Sequence, residues 1–336
     1  MSKAKNSKSR TILVTGGAGF IGSLLIDNLL KKGDNILCLD NLNGFYNPSI
    51  KKLNQFHHYE YDHYEFYEGD ILDEGLVKSI FKKHDIEIVI HLAAMAGVRP
   101  SISNPSLYTE VNIIGTRIIL DAMVESSVER LIFASSSSVY GNNKKIPFCE
   151  DDFVDLPISP YAATKKMGEL LCHAYQHTYE LNISLLRFFT VYGPWGRRDM
   201  ALFKFTNAIL TGKPIQVFNY GKHSRDFTYI DDIVEGVIRV LDKPAKPNPH
   251  WNGNNPDPAT SKAPWRVYNI GNNNPIELMD YIEALENSLG IKAEKELLPL
   301  QPGDVPDTYA DVYDCLLYTS DAADDTPCVD LGGRRI

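Results

Sequence analysis

Tyr161 and Lys165 stand four residues apart in Ser159-Pro160-Tyr161-Ala162-Ala163-Thr164-Lys165. Ser159 suits a helix N-cap and Pro160 the first helical position, which puts the phenol and the ammonium on one face. A free tyrosine has a pKa of about 10 and is a poor base at neutral pH. A neighbouring ammonium and a helix N-terminus both favour the phenolate. The spacing therefore predicts a Tyr161 pKa lowered towards the working range, as a proton-transferring pair requires. The chain holds 18 tyrosines. A pair with this spacing then arises about once by chance, so its meaning depends on its surroundings.

The first neighbour to consider is upstream. Gly16-x-x-Gly19-x-x-Gly22 follows the apolar run Thr11–Thr15 and opens a helical pattern that reaches Lys32 and closes on Gly33. Gly16 and Gly19 let the backbone turn tightly and approach a pyrophosphate, and Gly22 lets helix and sheet pack closely. The helix N-terminus offers its free N–H groups to the phosphates. Asp40 ends the next strand, 24 residues after Gly16. A carboxylate there accepts both ribose hydroxyls and repels a 2′-phosphate, which favours NAD over NADP. The competing reading of Asp40 is a turn residue ahead of Asn41. Asp70-Ile71, closing a third strand, is the candidate adenine contact.

The second neighbour is Ser135-Ser136-Ser137-Ser138, which ends the apolar run Leu131–Ala134 without a carboxylate. For Ser135 a plain polar strand end is the favoured reading.

Those residues need a scaffold. Strands over 11–15, 35–40, 65–70, 86–94, 130–135 and 183–190 alternate with helices near 73–84, 106–126 and 160–180, which predicts an α/β fold, a Rossmann-like doubly wound parallel sheet. After Tyr192 the segments shorten, with helices near 201–211 and 230–242, and 244–264 is a long loop of turn formers. The expected organisation is a flexible 1–10, a nucleotide domain over 11–190, a smaller, partly interleaved substrate lobe over 191–314, and a tail from 315. That tail reads CLLYTSDAADDTPCVDLGGRRI, and CLLYTSDAAD and CVDLGGRRI both match the translation of a transposase-type sequencing adapter. Residues 315–336 are accordingly read as non-native, with the natural C-terminal segment missing.

The 336 residues carry a formal charge of −9 and 43% apolar residues. That balance disfavours a nucleic-acid surface, and no stretch approaches a membrane span. The polar, basic start has no apolar h-region, and the five cysteines show no metal spacing or disulfide framework; a reducing, cytoplasmic setting is expected. Asp231-Asp232 reads as a helix cap and not a metal site. The nine histidines, His57, His58 and His63 among them, show no ligand spacing, so no metal is expected.

Taken in order, TGGAGFIG, LDNLNGFYNP, GDI, HLAAMAGVRPSI, VNIIGT, SSSSVYG, YAATK, RFFTVYGPWGRRDM, RDFTYIDDIV, RVYNIGNNNP and QPGDVPDTYAD resemble the extended short-chain dehydrogenase/reductase family of nucleotide-sugar enzymes over about residues 10–314. The branch the chain looks like is the UDP-glucuronate 4-epimerases. The resemblance implies that Tyr161 removes the sugar 4-OH proton while C4 passes a hydride to NAD. The 4-keto sugar then turns and takes the hydride back on its other face. Ser136 carries over as the hydroxyl at O4, and Lys165 as the holder of the nicotinamide ribose. Gly16, Gly19, Phe20, Ile21, Gly22, Asp40, Asn41, Asp70, Ile71, Ala93 and Ala94 carry over as cofactor contacts.

Related dehydratases hold an Asp-Glu pair after this strand, and related decarboxylases hold a glutamate before Val-Tyr-Gly. Here those places are Ser137 and Ser138. Hydroxyls can donate to a uronate carboxylate and leave it intact, where a glutamate would repel it. Arg99 and Arg197, with Thr190, carry over as ligands near that carboxylate; spacing favours Arg197 over Arg198. Arg225 and Asp304 match positions that engage the diphosphate and uridine ribose, and Gln216-Val217-Phe218 the strand along the uracil. For Phe218 a core role is the competing reading. The rival activities are a UDP-hexose 4-epimerase or an epimerase of another nucleotide sugar, a non-catalytic NAD(H)-binding regulator, and an inactive fragment. A homodimer through helices 106–126 and 160–180, and a role in bacterial polysaccharide synthesis, are implied by the resemblance only.

Overall fold

The computed structural model describes residues 9–45 and 47–315; the expected tail, apart from Cys315, lies outside them. Seven parallel strands form the main sheet. In chain order the strands are β1 Thr11–Thr15, β2 Asn35–Asp40, β3 Tyr64–Glu68, β4 Ile88–His91, β5 Arg130–Ser136 and β6 Asn182–Phe188, then β7 Thr190–Tyr192, β8 Ile215–Val217, β9 Ser224–Tyr229 and β10 Trp265–Ile270, and last β11 Pro275–Glu277, β12 Lys295–Leu297 and β13 Asp307–Thr308. The order across the sheet is β10-β6-β5-β4-β1-β2-β3. The β1 and β4–β6 strands, covered on both faces, are near-continuous apolar runs, as fully buried parallel strands must be.

The helices are α1 Phe20–Lys32, α2 Pro48–Asn54, α3 Glu74–Lys83, α4 Val98–Ser103, α5 Pro105–Thr109, α6 Gly115–Glu125, α7 Pro160–Tyr179, α8 Ala201–Leu210, α9 Ile230–Asp242 and α10 Leu278–Leu289. On one face α1 and α9 bury Leu25, Leu29, Ile233 and Val237 against the sheet; on the other, α3 and α6 bury Val77, Ile80, Ile118 and Ile119. The helix expected over 106–126 is interrupted by a π-helical turn at Glu110–Ile114. Asp231 and Asp232 stand in the first turn of α9 rather than at its cap, which is Tyr229; carboxylates there favour the helix dipole.

The chain reverses direction across the sheet between β1 and β4, and ligands of such sheets bind outside the carboxyl ends of the strands at that point. Beyond β6 the chain lays down β7, β8 and β9, returns to place β10 beside β6, and then completes two small sheets, β11-β9-β13 with β7 on β9, and β12-β8. Cys315 is 6% exposed and packs into the α1/α9 core.

Candidate active site

The first turn of α7 forms as its residues dictate. Ser159 accepts a hydrogen bond from the Ala162 N–H at 3.2 Å, and Pro160 takes the N1 position, where no N–H is needed. The turn is also tied to its neighbour, because the Tyr161 N–H donates to Ser101 Oγ at 3.0 Å. The Tyr161 ring packs edge-on to Tyr108, and its hydroxyl pairs with Ser136 at the end of β5.

Burial raises the Tyr161 pKa; the Ser136 hydrogen bond and the Arg197 charge pull it back without cancelling that rise. The expected lowering by Lys165 is therefore corrected. Lys165 does share the face, but its Nζ donates to the Ala134 carbonyl at 2.8 Å and lies 5.4 Å from the centre of the Phe133 ring. The long side chain follows β5 instead of meeting the phenol. Burial lowers its own pKa to about 8.

The four serines divide the work. Ser135 is buried and donates to Glu169 Oε1 at 2.6 Å. Ser136 Oγ accepts from the Ser138 N–H at 3.2 Å and from Ser138 Oγ at 3.0 Å, which closes the turn Ser137–Tyr140. Ser136, Ser137 and Ser138 are half-buried at the strand end.

Two supporting residues escape a reading by spacing. Glu169, one turn beyond Lys165, forms a two-pronged pair with Arg187 of β6. Asn112, in the π-helical turn, exchanges hydrogen bonds with the Met95 backbone and donates to Thr164 Oγ1 at 3.0 Å. It joins the loop after β4 to α7 between Tyr161 and Lys165. The VNIIGT motif marks Asn112's place, and within the π turn Asn112 is the buried residue.

The glycine turn fits a dinucleotide. Gly16 has φ +72°, and a Cβ there would fall 2.7 Å from the Ala93 nitrogen; one on Gly22 would fall 2.5 Å from the Gly16 carbonyl oxygen. Gly19 caps α1 without a side chain, so the first-turn amides of Phe20, Ile21 and Gly22 have no intrahelical acceptor. The Phe20 ring and the Ile71 side chain are core, leaving only their backbones to face a ligand.

Asp40 shapes a turn and also joins the glycine loop to α2. Its Oδ1 accepts from the Leu42 N–H at 2.9 Å and from Lys51 Nζ at 3.2 Å, and Oδ2 from the Ala18 N–H at 3.2 Å. Lys51 of α2 was not foreseen; it neutralises Asp40 in a setting where both side chains are under 10% exposed. Asn41 donates to Asp70 Oδ2 at 2.7 Å, linking the ends of β2 and β3. Ala93 and Ala94 follow β4 beside Gly16.

The substrate-side residues fall into two groups. Arg197 lies near Gly97 and stacks over Phe45; its guanidinium grips Asp199 at 3.0 and 2.6 Å. Thr190, half-buried, opens β7. Arg99 was expected beside Arg197, but its guanidinium lies 4.3 Å from the centre of the Phe218 ring and donates to Asp304 Oδ2 at 2.9 Å. Arg225 belongs to this second group, held by the Val305 and Pro306 carbonyls, both at 2.6 Å. Gln216 is left outside both groups. Its strand alternates, so Val217 turns inward and Gln216 outward towards Glu296.

His57 and His58 share no ligand spacing with each other, yet the fold brings both to Asp27.

Known proteins resemble this arrangement closely. Residues 12–253 match the model of the NAD dependent epimerase/dehydratase family. Protein CapI of Staphylococcus aureus is 50% identical over 303 residues, covering 90% of each chain. UDP-glucuronate 4-epimerase 4 of Arabidopsis thaliana is 45% identical over 307 residues, covering 90% of this chain and 69% of that one. Among solved structures, UDP-glucuronic acid 4-epimerase from Bacillus cereus, in complex with UDP-glucuronic acid and NAD, superposes with a TM-score of 0.82 at 34% identity over 92% of both chains. With the glycine turn, the buried tyrosine and the seven-stranded sheet in the same chain, these likenesses settle its kinship: it belongs to the NAD-dependent epimerase/dehydratase family.

Proposed function

We infer that the chain is an NAD-dependent 4-epimerase that interconverts UDP-glucuronate and UDP-galacturonate. The observation that carries this reading is the buried Tyr161 hydroxyl paired with Ser136 at the carboxyl edge of the sheet, with the Arg197 charge acting on it and serine at 137 and 138 where a carboxylate would serve elimination. NAD, held by the glycine turn and Asp40, supplies reversible hydride transfer at sugar carbon 4.

The chain's own residues do the rest. Tyr161 takes the proton of the sugar 4-OH and returns it, and Ser136 stabilises the phenolate by hydrogen bonding. Lys165, fixed to the β5 backbone, presents a buried cation to the nicotinamide ribose. Arg197, already aimed at a carboxylate in Asp199, holds the uronate with the hydroxyls of Thr190, Ser137 and Ser138. Arg99, Phe218, Arg225 and Asp304 receive the UDP moiety.

A second copy of the chain is the proposed partner, through α6 and α7. In support, α7 exposes Met167 (48%) and Leu170 (56%), three residues apart on its outer face. A reducing, cytoplasmic setting and a supply role in polysaccharide synthesis complete the reading; in support, Cys38, Cys149 and Cys172 form no disulfide. Among the described residues no helix is long and apolar enough to cross a membrane.

The test is incubation of the purified chain with UDP-glucuronate and no added cofactor. UDP-galacturonate should form, because bound NAD is regenerated in each turnover. Conversion of UDP-glucose at an equal or higher kcat/KM would replace this reading with a hexose epimerase.

A further inference from the structure

Away from the sugar site, three side chains meet where a 3-10 turn, Phe56–Glu60, lies on α1. Asp27 projects from the middle of α1; His57 and His58 come from the turn. Each imidazole Nε2 lies 2.5 Å from the same atom, Asp27 Oδ1, and the three candidate donor atoms all lie within 4.8 Å of one another. Two imidazoles that merely paired with a carboxylate could take one oxygen each. Here both point at one spot. Their rings are 4.6 Å apart and tilted by 59°, so consecutive side chains converge instead of splaying.

The convergence is built from outside the cluster. His58, fully buried, packs edge-on to Tyr64 at 5.1 Å, and the Tyr64 hydroxyl donates to Gln55 just before the turn. Asn54 donates to the Ala18 carbonyl at 3.2 Å, anchoring the end of α2 to the glycine turn. Burial is graded: the His58 side chain is 0% exposed, Asp27 15% and His57 50%. The cluster therefore has a closed back and one side open to water.

We propose that Asp27, His57 and His58 bind a divalent first-row transition ion, of which zinc is the type, as a structural tie between α1 and the 3-10 turn. Two imidazole nitrogens and one carboxylate oxygen form a donor set that such ions accept, with water in the remaining position. Tetrahedral donors with bonds of about 2.0–2.1 Å stand about 3.3 Å apart. Each of the two 2.5 Å contacts needs to open by less than about 1 Å, through movement of the half-exposed His57 on one side and of the partly exposed Asp27 away from the buried His58 on the other. The tie would clamp α2, whose Lys51 reaches Asp40, against the glycine turn.

The test strips the full-length chain of metal with a chelator, then titrates zinc against a chromophoric competitor and follows thermal unfolding. One zinc should bind per chain at micromolar affinity or better, and excess zinc should raise the melting temperature by at least about 3 °C. His57→Gln and Asp27→Asn, each close in size to the parent residue, should weaken zinc at least tenfold and abolish the thermal shift. His177→Ala, exposed on α7 and outside the cluster, should retain both. Absence of saturable zinc binding would overturn the proposal, as would binding or a thermal shift that survives both cluster variants. Melting of each variant without zinc, compared with the stripped parent, separates lost coordination from a damaged fold. None of these readouts depends on epimerase activity.

Discussion

Glu169 of α7 and Arg187 of β6 meet as a two-pronged ion pair, Nε to Oε1 and NH2 to Oε2, each at 3.0 Å, with both side chains under 5% exposed. Glu169 also receives Ser135, and Arg187 reaches the Tyr140 hydroxyl at 3.0 Å and the Glu150 carbonyl at 3.1 Å. The pair fixes the helix that carries Tyr161 to β6, and the Ser135 hydrogen bond to Glu169 ties the same helix to β5, the strand that ends on Ser136. Removing one member strands a buried charge. Glu169→Gln should cost about 3–5 kcal/mol in urea unfolding. The double variant Glu169→Leu, Arg187→Met should recover most of that loss, since it leaves no charge to desolvate.

Tyr161 is the proton carrier in the proposed reaction. Tyr161→Phe removes one oxygen from a site whose packing against Tyr108 is otherwise kept. Turnover should fall by about a hundred- to ten-thousand-fold, with thermal unfolding close to the parent's. Chromatographic separation of the two UDP-uronates measures it, and parent-like turnover would remove Tyr161 from the mechanism.

Arg197 should distinguish charged from neutral sugars. Its guanidinium already holds one carboxylate, that of Asp199, at 2.6 Å. Arg197→Met should lower kcat/KM for UDP-glucuronate by about ten- to a hundredfold, the scale of one hydrogen-bonded charge. Any residual turnover of UDP-glucose should change much less.

Ser138→Glu tests the serine-rich strand end. A second carboxylate should repel the uronate and supply an acid-base group beside it. UDP-galacturonate formation should drop at least about tenfold. Some substrate should be released as CO₂ and a UDP-pentose, detectable by mass spectrometry; absence of CO₂ would count against the serines as guardians of C6.

Glu150 offers a pH signature in stability. Burial raises its pKa to about 7, against the hydrogen bond that its Oε1 accepts from the Asn269 N–H at 2.8 Å. Between about pH 4.5, its ordinary value, and about 7, the folded chain keeps a proton that the unfolded chain has released. The contribution of Glu150 to stability therefore falls as pH rises through that window. Glu150→Gln keeps the acceptor without the charge, so it should flatten the fall and melt higher than the parent at pH 8.

The frame of this molecule could be read from sequence because its signals are local. β1 and β2 show the apolar runs of buried parallel strands, and Gly16, Gly19 and Gly22 lie between a strand and a helix, where their spacing has meaning. Ser159 and Pro160 fixed the start of α7 to the residue. The directions of long side chains and contacts between distant segments left no such trace. Lys165 shares a helix face with Tyr161 yet bonds the β5 backbone, and Arg99 turns to Phe218, a residue 119 positions away. Lys51 meets Asp40, and Asp27 meets two histidines 30 positions on, only because α2 and the turn after it fold back over α1. Pairings of that kind are set by packing, which no periodicity records.

The return of β10 to the main sheet bears on how the chain is made. Trp265–Ile270 completes the outer edge of β6, so the smaller lobe is spliced into the larger one rather than appended to it. During synthesis, the hydrogen-bonding edge of Asn182–Phe188 stays bare until about eighty more residues have left the ribosome. A fragment stopped after Tyr192 would carry that naked edge permanently, a ready template for sticking to its own kind. The two lobes are thus obliged to mature together.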